Sequence, residues 1–354
     1  MNAMMGRPRW HRWWSAGGAI LGFAALGWVL WRVDFDRLLD VIAAADIGYL
    51  LLVPLSIAGE QLVRAWKWRQ LLFAIRPIAT LRLFGAIMAG YLANLLVPLG
   101  ISPLVRSWLV ARLEALKMST VLATAAIDRL VDGMVFVAFI PVPLLLAAYP
   151  DPGGGIRLGL LAAGGGSVAL FAGLAFALAR YKRQAARPEG WLRRLIERLP
   201  ARFAGSAEGA ALSFAEGIVW PQKARRGLGI VLASVVIKLI ALTHFLWAGL
   251  AFGVVLRPAD YVFLLVFLGF LIILTRFARI PGGFFIVAIF ALDLLGVAEE
   301  PALAMVLVVQ FSSMLTIACL GALALWRNGM TLGRLRLAGE IAGADVREEA
   351  VERP

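Results

Sequence analysis

Apolar residues in this chain fall in long continuous runs rather than at every second or every third-to-fourth position. Between the runs, arginines and aspartates gather in short stretches. A run of roughly 17–25 apolar residues is long enough for a helix to cross a bilayer. Such runs predict spanning helices at Trp13–Val33, Ile47–Val63, Ser119–Ala148, Ile156–Ala179, Gly227–Val255 and Pro301–Trp326. The first exceeds a signal-peptide core in length and lacks a small-residue cleavage site after it, so it reads as a retained helix.

Two further apolar stretches are interrupted. Leu81–Leu116 breaks at Asn94-Leu95-Leu96-Val97-Pro98-Leu99-Gly100, with Pro103 following, and Asp260–Val297 breaks at Ala278-Arg279-Ile280-Pro281-Gly282-Gly283. Interrupted hydrophobic segments at corresponding places of two halves point to a substrate site near the bilayer midplane of a transporter.

Loop charge decides how these segments run, because cytoplasmic loops are enriched in Lys and Arg. Arg7, Arg9 and Arg12 place the N-terminus inside, and Asp34, Asp36, Asp40 and Asp46 place the next loop outside. Arg64, Lys67, Arg69, Arg76 and Arg82, read as a loop after the second helix, return the chain to the inside. If the first interrupted segment crossed once, the stretch from Arg180 to Arg226, with eleven Lys/Arg against four acids, would be exported. A hairpin that dips in and leaves on the same side keeps that stretch inside. The expected fold is therefore an all-α polytopic membrane protein with about six spanning helices and two re-entrant helical hairpins. Residues of about 45–149 and 227–328 would form an inverted repeat, with both termini in the cytoplasm. Each hairpin arm, at ~15 residues, would rise ~22 Å.

Composition narrows the class further. A chain that is 61% hydrophobic and 16% charged is not an ordinary soluble domain. Its net charge of +13 sits beside the membrane runs, with no nucleic-acid-binding module, so lipid headgroups rather than nucleic acid are the expected partners. The lone Cys319 excludes a disulfide framework. One transmembrane domain is expected over 1–330. Its connector at 180–226 includes an amphipathic stretch (Trp191, Leu192, Leu195, Ile196, Leu199), and a mixed-charge, loosely ordered tail follows at 331–354.

Ionisable residues inside spanning segments are costly and mark function by default. Glu60 lies late in the second predicted helix; Asp128, Arg129 and Asp132 lie in the third, where Asp128 and Asp132 share a face. Arg129 is offset from both, so its partner is expected on another element, either Glu60 or the hairpin. Lys238 and His244 lie in the fifth helix, and Lys238 is expected to reach toward the cytoplasmic interface. Arg106 follows the first break, and Arg276 and Arg279 flank the second. Cations beside a Pro281-Gly282-Gly283 turn suit a phosphate, as the amide of Asn94 suits freed backbone or a ligand. The substrate-binding set is thus Glu60, Asn94, Pro98, Arg106, Asp128, Arg129, Asp132, Arg276, Arg279, Pro281, Gly282 and Gly283. The arginines would neutralise lipid phosphate, and the carboxylates would hold or select a cationic group. No phosphate loop, metal-ligand spacing or nucleophile elbow is present, so neither catalysis, a metal nor a cofactor is expected.

Several of these pieces resemble the lysylphosphatidylglycerol synthase transmembrane-domain family of flippase-like integral membrane proteins. They are Asn94 to Pro98 leading to Arg106, Ser119 through Ile127-Asp128-Arg129-Leu130-Val131-Asp132, Ile280 to Gly283 with Leu295-Gly296-Val297, and Arg64 to Leu72. The resemblance implies a multi-pass protein of the bacterial inner membrane that moves a phospholipid or related polar lipid between leaflets. It does not imply synthesis, because the aminoacyl-transferase domain has no counterpart here. The chain departs from the family at Asp128, where a glutamate is usual, and at Phe284-Phe285, where an acid is frequent. An accessory subunit docking a lipid-modifying enzyme is the alternative, and a membrane-embedded lipid transferase a more remote one.

Overall fold

Every long apolar run within the described residues is helical. The computed structural model describes residues 34–96, 102–146, 149–185, 201–277 and 282–327, and these hold helices and no strand. In chain order the helices are α1 (Phe35–Ala43), α2 (Ile47–Leu72), α3 (Thr80–Leu96), α4 (Ser102–Glu114), α5 (Met118–Ala138) and α6 (Pro141–Leu146). They continue with α7 (Gly155–Ala185), α8 (Ala201–Gly217), α9 (Ala224–Ala251), α10 (Pro258–Phe277), α11 (Gly283–Leu294) and α12 (Glu299–Arg327).

Six helical stretches among the described residues are long and apolar enough to cross a membrane: Ile47–Leu72, Met118–Leu146, Gly155–Gln184, Ala224–Ala251, Pro258–Thr275 and Glu299–Arg327. Trp13–Val33 lies outside the described residues, as do Trp191–Leu199 and the tail. Large apolar side chains such as Leu51, Leu55, Leu158, Phe176, Leu274 and Leu315 are exposed, the reverse of a water-soluble helix bundle.

Two boundaries differ from expectation. Helix α2 runs nine residues past Val63, so Arg64 and Lys67 are helical and buried instead of lying in a loop. Arg, Lys, Gln and Leu are good helix formers, and the two cations find carboxylates on another helix, so nothing stops the helix at the first charge. Helix α10 has 20 residues, ~30 Å, against the ~15 expected for a hairpin arm, because its Leu/Phe run carries the helix through Gly269.

The chain forms two compact units. One comprises 1–56, 138–164 and 241–312, and the other 57–137, 165–240 and 313–354. Helices α1, α6, α10 and α11 belong wholly to the first unit, and α3, α4 and α8 wholly to the second. The remaining helices are divided between the two.

In the first unit α10 packs against α11 and α6. An aromatic file runs outward from its core, with ring centroids 4.7 Å apart for Tyr149–Phe263, 5.0 Å for Phe263–Phe267 and 6.0 Å for Phe267–Phe290, the last ring being exposed. Gly282, at φ 69°, supplies the left-handed residue that turns the chain into α11. A Cβ on Gly283 would lie 2.5 Å from the Thr275 Cβ, so glycine is what lets α10 and α11 meet there.

In the second unit α3 packs against α4. Near the break, a Cβ on Gly90 would come within 2.9 Å of the Ser102 carbonyl oxygen. At the other end, Arg82 in the first turn of α3 reaches Glu114, the last residue of α4, with Nη1–Oε1 at 2.8 Å. The Arg76 Nη1 also donates to the Glu114 carbonyl. The start of α3 and the end of α4 are therefore tied together, and the pair closes on itself as a hairpin.

Candidate functional site

The polar residues of the second unit converge within its apolar frame. Helix α2 presents Glu60, Arg64 and Lys67, spaced four and three residues apart and so on one face. Helix α5 presents Asp128 and Asp132, four apart and likewise on one face. The two stripes interlock. Lys67 Nζ sits 2.8 Å from Asp128 Oδ1 and 2.5 Å from Asp132 Oδ1, and also donates to Ser234 Oγ of α9 at 3.2 Å. Arg64 spans Asp132 Oδ2 at 3.0 Å, Glu60 Oε1 at 2.6 Å and Gln61 Oε1 at 3.2 Å. From α4, Arg106 Nη2 reaches Asp128 Oδ2 at 3.3 Å while its guanidinium lies 4.7 Å over the Trp68 ring. That indole in turn donates to Thr124 Oγ1 at 3.0 Å. Lys67 and Asp128 are fully buried, and Arg106 is 1% exposed.

At 1.5 Å per residue, Glu60, Arg64 and Lys67 lie ~18, ~12 and ~7 Å back from Leu72, where α2 ends. Asp128, Arg129 and Asp132 lie ~15–21 Å beyond Met118, where α5 begins. The charges therefore occupy the interior of the helices. Burying an ion pair is costly unless every charge is satisfied. Here all three carboxylates are ion-paired by Arg64, Lys67 and Arg106.

The cations are not all so engaged. Arg129 is exposed, although Ile127, Asp128, Val131 and Asp132 nearby on the helix are buried. It lies within electrostatic range of Tyr91 on α3, Arg64, Asp128 and Asp132, but no carboxylate closes on it among the described residues. An arginine near a helix centre costs ~2.5–3.5 kcal/mol on insertion scales, which argues against an idle lipid-facing side chain.

Lys238, from α9, supplies a further cation. It is half-buried, 5.6 Å over the Phe136 ring and within range of Asp132, Arg64 and Glu60. Five cations thus face three carboxylates, a formal excess of two positive charges among the described residues of the cluster.

The hairpin adds unsatisfied polar atoms. Asn94 Oδ1, Ser102 Oγ, Ser107 Oγ and two guanidinium nitrogens of Arg106, Nε and Nη1, are buried without a hydrogen-bond partner among the described residues. Buried polar atoms are almost always bonded, so such a group in one hairpin calls for water or a ligand. Ser102 and Arg106, four residues apart on α4, both flank Gly90 of α3.

The structure thus brings together Glu60, Arg106, Asp128, Arg129 and Asp132 of the sequence-predicted set, with Asn94 on the hairpin beside them. Arg64, Lys67, Tyr91 and Lys238 join them. Gly282 and Gly283 belong to the first unit and form the turn into α11. Pro98, Arg279 and Pro281, and the side chain of Arg276, lie outside the described residues.

The model of one protein family, described as the lysylphosphatidylglycerol synthase TM region, matches residues 14–321 of the chain. No curated relative and no solved structure matches.

Proposed function

The chain belongs to the lysylphosphatidylglycerol synthase TM region family, and from that premise we propose that it is a lipid flippase, moving a polar lipid between leaflets of a bacterial inner membrane. One observation carries the reading. A buried ionic cluster inside membrane-length helices leaves one guanidinium exposed, with no carboxylate on it among the described residues, beside a hairpin with unsatisfied polar atoms. A purely structural ion-pair network would be balanced and closed. A cluster with an excess charge and an accessible arginine suits the passage of a charged headgroup, since a fixed countercharge lowers the cost of carrying ions through a low-dielectric core.

The α3–α4 hairpin, tied at its open ends by Arg82 and Glu114, is taken as re-entrant from the cytoplasmic side. In that arrangement any backbone at membrane depth outside the helices has to be buried in protein or line a cavity. The α10–α11 pair is its inverted counterpart. Both termini are cytoplasmic, and the protein is a transporter rather than an enzyme, working on lipid without a cofactor.

Reconstitution into liposomes with labelled phospholipids tests the function. Leaflet exchange above that of empty vesicles is expected, and Arg129→Gln should abolish most of it while leaving the folded yield unchanged. Equal exchange by the variant and the parent would refute the role given to Arg129. No exchange by the parent, across anionic and aminoacylated lipids, would refute transport. Cysteine labelling of Lys117 and Arg193 from the cytoplasmic side only would support the hairpin topology, and external labelling would overturn it.

A further inference from the structure

We propose that the site selects a headgroup of net negative charge, best a phosphate monoester carrying two charges, and discriminates against cationic aminoacylated lipids. This rests on the lipid-transport reading and names the substrate class of the same site.

Three features support it. First, the carboxylates that would have to recognise an amino group are already engaged: Glu60 by Arg64, Asp128 by Lys67 and Arg106, and Asp132 by Arg64 and Lys67. Releasing Asp128 to a lipid amine would strand Arg106, and releasing Glu60 or Asp132 would cost Arg64, or Arg64 and Lys67, one of two carboxylate partners. Second, Arg129 and Lys238, which have no ion pair among the described residues, leave the cluster two positive charges in excess. A dianionic headgroup would neutralise it, whereas a cationic one would add to the imbalance. Third, the unsatisfied atoms of the hairpin include donors suited to an oxyanion. Arg106 offers Nε and Nη1, Ser102 and Ser107 offer hydroxyls, and all three residues are at most 5% exposed. Guanidinium and hydroxyl donors bind phosphate oxygens directly. Gly90 lets α3 approach Ser102 and Arg106 closely, which holds these donors together in the hairpin.

Lipid binding in detergent separates this proposal from transport. The purified full chain is offered phosphatidic acid, phosphatidylglycerol, phosphatidylethanolamine and lysylphosphatidylglycerol with identical acyl chains, and retained lipid is read by native mass spectrometry. Retention should fall in that order, with phosphatidic acid held about tenfold or more over lysylphosphatidylglycerol. The double variant Arg129→Gln/Lys238→Gln should lose that preference, to within about twofold, without gaining affinity for phosphatidic acid. Because neither residue closes an ion pair in the cluster, the variant should fold, and its thermal midpoint in detergent checks this. Retention of lysylphosphatidylglycerol equal to or above that of phosphatidic acid would overturn the proposal, as would a preference unchanged in the double variant.

Thermal stabilisation by inorganic phosphate as large as that by phosphatidic acid would assign the site to a free anion, and would overturn the lipid headgroup. If the order of retention holds but liposomes show no exchange, the transport reading fails and the headgroup assignment stands.

Discussion

The two hairpins of this protein are built from opposite chemistry. In α3–α4, Tyr91, Asn94, Ser102, Arg106, Ser107 and Glu114 punctuate the apolar sequence, and Arg106 enters the buried ionic cluster. In α10–α11, Phe263, Phe267 and Phe290 stack with Tyr149, and the described part carries few polar side chains away from the ends of the helices. Both nevertheless solve the same backbone problem in the same way, with one glycine admitting the opposite arm beside the break: Gly90 against Ser102 and Gly283 against Thr275. The shared part is therefore architecture, and the difference lies in what each hairpin can interact with. One is equipped for charge, whereas the other offers aromatic surface and dispersion.

The contrast breaks most visibly at Asp128. Asp128→Ala strands Arg106 inside the second unit and leaves Lys67 with Asp132 as its one carboxylate. Removing one partner of a buried pair costs about 3–5 kcal/mol, so the variant should lose most folded yield and show a much lower thermal midpoint in detergent. A stable, monodisperse Asp128→Ala protein would show that the cluster is already hydrated and that its charges do not depend on one another.

The counterpart in the first unit is milder. Phe263→Leu keeps bulk but removes two ring contacts, at 4.7 and 5.0 Å, each contributing about 0.5–1.5 kcal/mol. A loss of about 1–3 kcal/mol in thermal or denaturant unfolding is expected, independent of ionic strength and with the lipid-charge preference unchanged. A salt-dependent loss, or an altered preference, would mean that the aromatic hairpin shares the electrostatic task.

The same asymmetry governs how far the chain can be read from its residues alone. Asp128 and Asp132 are legible because two acids four apart inside an apolar run must either be paired across helices or line a polar path. The breaks are legible because Pro and Gly interrupt hydrophobic runs at matching places. Arg64 and Lys67 are misread as a loop because a hydropathy run stops at the first charge, whereas a helix does not. The signal is nonetheless present, since Glu60, Arg64 and Lys67 repeat at four and three residues and form a stripe matching that of Asp128 and Asp132. The length of α10 escapes for the converse reason, a uniformly apolar run having no internal mark of where it ends. What no local pattern encodes is the pairing itself. That Lys67 bridges two aspartates, while Arg129 closes on no carboxylate among the described residues, is decided by packing among α2, α4 and α5. Those helices bring together residues dozens of positions apart.

The smallest expected effect belongs to the first unit, at the entry to α7. Asp151 accepts from the backbone N–H of Arg157 at 2.9 Å and of Ile156 at 3.1 Å, satisfying donors that the first turn of a helix leaves open. The Arg157 N–H, followed by that of Ile156, holds the Asp151 carboxyl below its ordinary value. Because the folded pKa lies below the unfolded one, the cap is in full effect above the usual aspartate range and is lost as pH falls through the folded value. Amide hydrogen exchange at Ile156 and Arg157, corrected for intrinsic rate, should therefore stay protected at neutral pH and quicken only in acid. Asp151→Ala should remove that dependence, while Asp151→Asn, which keeps one acceptor, should flatten it and retain part of the protection. The same pH dependence in Asp151→Ala as in the parent would show that this carboxylate does not hold the first turn of α7.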